Sequence, residues 1–220
     1  DLAEGGFDMV LLATGVHPRQ ISLPGIDHPM VLSYIDVLRG GAQVGKRVAI
    51  IGAGGIGFDV SEFLVHDGPS TSQDAAAFMA QWGVDQTLSA RGGLTEQAQW
   101  TPARDVTLCQ RKRGKLGAGL GKTTGWIHRS ALKNNGVEML SECQYLKIDD
   151  AGLHLSVSGT SRVLQVDNVV ICAGQVPAQE LVSGLKTAGV AHQLIGGADV
   201  ASELDAKRAI EQGTRVASEL

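Results

Sequence analysis

An α/β fold built on a parallel sheet is what this sequence predicts, on three observations. Val48-Ala49-Ile50-Ile51 is an unbroken apolar run rich in β-branched side chains, the pattern of a strand covered on both faces. It runs directly into Gly52-Ala53-Gly54-Gly55-Ile56-Gly57, a Gly-x-Gly-x-x-Gly turn. Beyond the turn, Phe58, Val60, Phe63, Leu64 and Val65 recur at roughly helical spacing. Strand, glycine turn and helix in that order open a Rossmann-like dinucleotide-binding unit. Gly52 permits the tight turn, Gly54 lets the backbone approach a pyrophosphate, and Gly57 lets helix and strand pack closely. The free N–H groups and positive end of the helix then face the phosphates. Candidate contacts are Gly52, Ala53, Gly54, Gly55, Ile56 and Gly57; the alternative is a glycine turn with a structural role only.

At 220 residues the chain has room for one large domain or two small ones. Its 43% hydrophobic and 19% charged residues are those of a soluble globular protein with a substantial core. A net charge of −4 gives no reason to expect nucleic acid or an anionic membrane as a partner. No apolar run approaches the roughly 18 residues of a membrane span. Asp1-Leu2-Ala3-Glu4 is acidic where a signal peptide is basic, so a cytoplasmic location is expected. The first residue is not Met and the chain starts inside a pattern, so a fragment is expected as well. The three cysteines, Cys109, Cys143 and Cys172, are widely spaced and form no Cys-x-x-Cys or Cys-x-x-x-x-Cys pair. That argues against a thiol–disulfide reductase and against a metal cluster held within this chain. The six histidines lack ligand spacing, and neither metal ligands nor catalytic side chains are assigned.

From the N-terminus, Phe7-Asp8-Met9-Val10-Leu11-Leu12-Ala13 is a short strand ending at Thr14-Gly15-Val16-x-Pro18. Pro24-Gly25 and His28-Pro29 mark a loop. Ser33 caps a short helix through Leu38, closed by Gly40-Gly41. The strand from Arg47 and its glycine turn follow. A standard second strand should end about 20 residues past the glycines in an acid that grips the ribose. Residues 67–104 intervene instead, and connections this long are usually functional or disordered. They contain Gly68-Pro69-Ser70-Thr71-Ser72, a helix over 74–82 and the loop Arg91-Gly92-Gly93. Phe78, Trp82 and Trp100 imply that this insertion folds against something.

The delayed second strand, 105–110, ends in Arg111-Lys112-Arg113 with no carboxylate at its tip. A carboxylate there would accept a ribose hydroxyl and repel a 2′-phosphate. Cations would pair with that phosphate through charge-assisted hydrogen bonds worth about 1.5–3 kcal/mol each. One such bond gives a roughly tenfold or greater preference for NADPH over NADH; the alternative is a solvated basic turn. Gly117-Ala118-Gly119-Leu120-Gly121-Lys122-Thr123-Thr124 imitates a P-loop, but counting back from Gly121 puts Leu116 where the first glycine belongs. ATP hydrolysis is rejected on that spacing. Thr123 or Thr124 instead caps a helix from Gly125 to Asn134, closed by Asn135-Gly136.

Val137-Glu138-Met139-Leu140 is the third strand. Runs at 144–148, 153–157 and 163–166 are separated by Asp149-Asp150-Ala151-Gly152 and Ser158-Gly159-Thr160, and read as an antiparallel meander. Asn168-Val169-Val170-Ile171-Cys172-Ala173-Gly174-Gln175-Val176-Pro177 repeats the earlier pattern of strand, glycine and proline. Leu194-Ile195-Gly196-Gly197-Ala198-Asp199 is a strand-end turn, and Glu203-Leu204-Asp205-Ala206-Lys207-Arg208-Ala209-Ile210 begins a terminal helix.

Together these residues resemble the C-terminal half of bacterial NADPH-dependent 2,4-dienoyl-CoA reductases, relatives of trimethylamine dehydrogenase and enoate reductases. The resemblance covers essentially the whole chain. Its most specific parts lie in the insertion: His66-Asp67-Gly68-Pro69-Ser70, Phe78, Trp82-Gly83-Val84-Asp85 and Arg91-Gly92-Gly93. Gln110-Arg111-Lys112, Gly121-Lys122-Thr123-Thr124-Gly125-Trp126-Ile127-His128 and the last turn and helix complete it. It implies an enzyme of unsaturated fatty acid oxidation in which NADPH hands a hydride to FAD. Single electrons then pass through a 4Fe-4S cluster to FMN, which reduces the conjugated thioester. The FMN-bearing (β/α)8 barrel, the cluster cysteines and the first flavin-binding glycine motif would all precede Asp1.

The resemblance also implies a division of the chain. Residues 1–45 would be part of an FAD-binding domain and crossover, 46–170 the NADPH-binding domain with insertion 67–104, and 171–220 the C-terminal part of the FAD-binding domain. Ala13, Thr14, Gly15, Ala173, Gly174, Gly197 and Asp199 become candidate flavin-side contacts. Many relatives have Gly-Asp in the last turn, where this chain has Gly196-Gly197-Ala198-Asp199. The partners implied are NADPH, a flavin and the barrel domain, and this chain alone should not reduce dienoyl-CoA. A related amine dehydrogenase or enoate reductase, and a non-catalytic nucleotide-binding module, are the alternatives.

Overall fold

The computed structural model divides the chain into two units: Ser22–Cys172, and Asp1–Ile21 together with Ala173–Leu220. We call them the sheet unit and the terminal unit. Residues 1–66, 68–98, 100–202 and 204–220 are described; Asp67 and Glu203, both named above, lie outside the described residues.

The chain begins in the terminal unit with β1 (Val10–Leu12) and β2 (Val16–Pro18). In the sheet unit, β3 (Val31–Ser33) leads into α1 (Tyr34–Leu38), where the Ser33 hydroxyl accepts from the Ile35 N–H at 3.1 Å. Next come β4 (Arg47–Ile51) and α2 (Gly55–Val65), and after the insertion and its helix α3 (Ala75–Trp82) follow β5 (Asp105–Cys109), α4 (Gly125–Asn134) and β6 (Glu138–Leu140). The meander β7 (Cys143–Asp149), β8 (Gly152–Val157) and β9 (Thr160–Leu164) precedes β10 (Asn168–Ile171). The main sheet is parallel throughout, in the order β3-β10-β4-β5-β6.

That order explains the apolar run. β4 is flanked by β10 and β5 and covered on its faces, so Val48, Ala49, Ile50 and Ile51 are all buried and no polar residue alternates with them. Phe58, Val60 and Leu64 of α2 share one core with Leu108 of β5 and Leu132 of α4. Phe63 belongs to the same helical pattern but is 51% exposed, on the outer side of the helix.

In the insertion, Asp74 Oδ1 accepts from the Ala76 and Ala77 N–H groups, and Gly83 closes α3 at φ +64. The Phe78 and Trp82 rings lie 6.5 Å apart, yet α3 buries none of its residues, so these aromatics cover each other rather than a core. The insertion ends against the C-terminus of α2, where the Ala103 N–H donates to Val65 O at 2.9 Å. The capping expected of Thr123 or Thr124 is corrected. Thr124 stands before α4 with helical backbone (φ −116°, ψ −21°) and no cap bond, because a cap side chain reaches the first turn from extended backbone. The Gly121 carbonyl takes the Thr124 and Gly125 N–H groups instead, at 3.2 and 2.7 Å.

The terminal unit continues with β11 (Gln175–Pro177), α5 (Glu180–Thr187), β12 (His192–Leu194) and α6 (Ala206–Ser218). β1 pairs with β12 in parallel and β2 with β11 antiparallel. Val10, Leu12 and Leu185 form its core, with Val182, Val190 and Leu194 packed on them. β2, β3, β11 and α5 have no counterpart among the predicted elements; for the strands the reason is that three residues carry no readable period. No helix among the described residues is long and apolar enough to cross a membrane.

Candidate nucleotide-binding site

The turn after β4 is shaped by what its glycines lack. Gly52 sits at φ +114°, and its N–H donates to Cys109 O at 3.0 Å, tying the turn to the end of β5. A Cβ on Gly57 would lie 1.8 Å from Gly52 O, so only glycine lets α2 approach the strand. A Cβ on Gly54 or Gly55 would meet nothing within 4 Å, and both residues are exposed. Ala53 and Ile56 lean on the core beneath. The first helical bond runs from the Phe58 N–H to Gly54 O at 3.1 Å. The N–H groups of Gly55, Ile56 and Gly57 therefore lack helical acceptors, and no carboxylate stands in the first turn. Open space at Gly54 and Gly55, next to three N–H groups without helical acceptors at a positive helix end, has the form of an anion cradle.

The tip of β5 lies beside this cradle, since Ile51 and Cys109 are paired in register. Arg111, Lys112 and Arg113 are all exposed. They are not equivalent: Arg113 Nε pairs with Glu142 Oε1 at 3.0 Å, whereas Arg111 and Lys112 pair with no carboxylate among the described residues. Two further residues bear on this tip. The sequence places Gln110 as the last residue of the strand 105–110 and as part of the resemblance, without a role, whereas β5 ends at Cys109. Glu142 lies far along the chain and carries no sequence signal.

The remaining predicted contacts gather in the terminal unit. Ala13 and Thr14 are exposed, and the Thr14 hydroxyl donates to Ala178 O at 2.6 Å. Gly15 turns at φ +80° and its carbonyl accepts from the Ala178 N–H at 3.0 Å. Ala173 O accepts from Arg19 Nη2 at 2.6 Å, and Gly174, at φ +99°, has no room for a Cβ beside that guanidinium. Gly197 is tucked against the first turn, where a Cβ would lie 2.7 Å from Val16 Cγ1 and 3.1 Å from the Gly15 carbonyl carbon. Asp199 is already engaged: its Oδ2 accepts from Gln212 Nε2 at 2.7 Å, and Gln212 Oε1 accepts from the Gly196 N–H.

All three thiols are free and buried. Cys172 follows β10, and burial pushes its thiol up to about 12. Cys143 and burial together hold the Cys109 thiol well above its ordinary value. No cluster of three or more His, Cys, Asp or Glu able to hold a metal occurs among the described residues.

A parallel sheet with a glycine turn and anion cradle at the end of its central strand defines an α/β dinucleotide-binding module. Residues 2–208 match the family described as pyridine nucleotide-disulphide oxidoreductase, and the chain belongs to that family, with its FAD/NAD(P)-binding Rossmann-like fold. It is 27% identical over 183 residues to a metal reductase of Desulforamulus reducens, covering 83% of this chain and 26% of that protein. A cinnamate reductase of Clostridium sporogenes is 24% identical over 201 residues, 90% of this chain and 25% of that protein. Among solved structures, a 2-naphthoyl-CoA reductase in complex with 2-naphthoyl-CoA superposes with a TM-score of 0.71 at 20% identity, over 97% of this chain and 27% of that one. The chain thus spans about a quarter of the length of these two curated relatives.

Proposed function

We propose that this chain is the NADPH-accepting, electron-input part of a longer flavoprotein reductase of the 2,4-dienoyl-CoA reductase type. The observation that carries the reading is the Arg111-Lys112 pair, exposed and unmatched by any described carboxylate, one strand over from a turn with three unpaired N–H groups. Gly55, Ile56 and Gly57 would hold the pyrophosphate, with the open space at Gly54 and Gly55 admitting it. Arg111 and Lys112 would hold the 2′-phosphate, each bond worth about 1.5–3 kcal/mol. When bound, NADPH supplies a hydride that a flavin can take as a pair and release as single electrons.

In the terminal unit, the turns at Ala13-Thr14-Gly15, Ala173-Gly174 and Gly197 are the proposed flavin-side contacts. The fit is partial. The Thr14 hydroxyl and Asp199 Oδ2 already have partners, which leaves exposed backbone groups and Asp199 Oδ1 for FAD. FMN, the 4Fe-4S cluster, the barrel and the dienoyl thioester are assigned to the rest of a longer, cytoplasmic protein. Alone, this chain would move electrons from NADPH without reducing the thioester.

The test is an anaerobic titration of the protein with FAD present. NADPH should bleach the flavin band, and NADH should need a concentration about tenfold higher or more. Equal response to both nucleotides overturns the reading. In the full-length polypeptide, NADPH oxidation should accompany loss of the dienoyl thioester's ultraviolet absorbance. Coupling to a cinnamate-type acid instead would change the substrate and keep the electron-input role.

A further inference from the structure

Gln110 is the first residue past β5, the position at which a ribose-gripping acid closes the second strand of an NADH-binding unit. Here its carboxamide bonds to the chain's own backbone. Nε2 donates to Lys112 O and to Gly114 O, both at 3.0 Å. Its main chain is held too, the N–H donating to Leu140 O at 2.9 Å and the carbonyl accepting from the Cys143 N–H at 3.0 Å. Four hydrogen bonds thus converge on one residue and set the path of the cationic loop that follows it. Gly114 ends that loop at φ +95°, a backbone conformation that glycine adopts without strain.

Glu142 grips the same loop from the β6–β7 turn. Its N–H donates to Lys112 O at 3.2 Å, its Oε1 pairs with Arg113, and its Oε2 accepts from Ser158 Oγ at 2.9 Å. It does so at φ +56°, a conformation that costs a non-glycine residue free energy and persists where the surroundings over-determine it. Arg113 is therefore a strut of the loop, and Arg111 and Lys112 are the cations it presents.

We propose that Gln110 is a positioning residue for 2′-phosphate recognition, holding the 111–114 loop so that Arg111 and Lys112 meet a phosphomonoester. The inference rests on the NADPH reading above and adds a residue that need not touch the cofactor. Two consequences of the geometry support it. The carbonyl oxygens of Lys112 and Gly114, already bonded to the amide, are less able to repel an oxyanion, and a loop ordered in advance loses less freedom on binding. Neutrality matters as well. A glutamate at 110 has no donors for either carbonyl and would set a negative charge beside the phosphate.

The test compares dissociation constants of NADPH and NADH at fixed ionic strength for the wild type, Gln110→Met, Gln110→His, Gln110→Glu and Arg111→Ala. Gln110→Met, similar in shape but without donors, should weaken NADPH about three- to tenfold and change NADH by less than about twofold. Gln110→Glu should reduce the NADPH preference by about tenfold or more. Gln110→His, which keeps a donor, should fall between wild type and Gln110→Met, and it covers the case in which Gln110→Met does not fold. Equal weakening of both nucleotides in these variants overturns the proposal. So does an unchanged NADPH preference in Gln110→Met and Gln110→His while Arg111→Ala loses it. A wild type without NADPH preference sinks the underlying cofactor reading instead, so the two failures are distinguishable.

Discussion

Two glycine-rich segments of the sheet unit each lead into a helix, 52–57 into α2 and 117–125 into α4, and they have opposite chemistry. Before α2, Gly54 and Gly55 face open space and three N–H groups have no helical acceptor. Before α4, Gly119 also faces open space, but Gly117 and Gly125 are packing devices. A Cβ on Gly117 would lie 2.7 Å from the Phe58 ring, and one on Gly125 would lie 2.9 Å from Leu120 Cβ. The Gly117 carbonyl accepts from Arg129 Nη1 at 2.9 Å, and Gly121 O takes the Thr124 N–H and the first N–H of α4, that of Gly125. One segment is a cradle; the other, at Gly117 and Gly125, is a filled corner. Glycine content does not identify an anion site; unpaired donors beneath accessible space do.

Paired substitutions should break or sharpen this contrast. The largest effect is expected for Gly57→Ala, which drives a methyl into Gly52 O and should cost about 3 kcal/mol or more in a denaturant titration, with nucleotide binding lost. Gly117→Ala, also strained at φ +70°, should cost about 1–3 kcal/mol yet leave the affinity of the folded protein for NADPH unchanged. If both variants lost nucleotide in proportion to stability, the distinction between cradle and corner would fail.

Arg111→Ala comes next: NADPH should bind about tenfold more weakly by calorimetry, with NADH nearly unchanged. A smaller effect concerns Cys172, whose N–H donates to Ile51 O at 2.8 Å just below the cradle. Its folded-state pKa is raised from an ordinary value near 9 to about 12, so folding favours the neutral thiol. The stability tied to it is present below about pH 9 and is lost as the pH rises toward about 12, where the unfolded chain ionises first. Urea midpoints at about pH 8 and about pH 11 should therefore separate less in Cys172→Ala than in the wild type. The smallest effect is expected for Lys122→Ala, in the segment that imitates a P-loop: NADPH affinity should stay within about twofold, against the roughly tenfold loss for Arg111→Ala.

The glycine turn was legible because the backbone requirements at Gly52 and Gly57 leave a pattern in a single sequence, and the fully apolar β4 marks the centre of a parallel sheet. The division among the cations was not legible. Arg113 is tied down by Glu142, 29 residues later in the chain, and that partnership exists only once β5, β6 and the meander have folded. The Thr124 cap failed because a cap hydroxyl reaches the first turn from extended backbone, and Thr124, its N–H bonded to Gly121 O, has helical backbone. Gln110 was legible as the end of the predicted strand, but its acceptors are carbonyls whose positions the sequence does not encode locally.

The central claim is that Arg111 and Lys112 recognise a phosphate on the adenosine ribose. The most direct measurement is calorimetric binding of 2′,5′-ADP and 5′-AMP, which differ in that group and carry no nicotinamide, to wild type and Arg111→Ala. The account predicts that the wild type binds 2′,5′-ADP about tenfold more tightly or better, and that Arg111→Ala binds the two alike. Equal affinity in the wild type, or a preference that survives in Arg111→Ala, would contradict it.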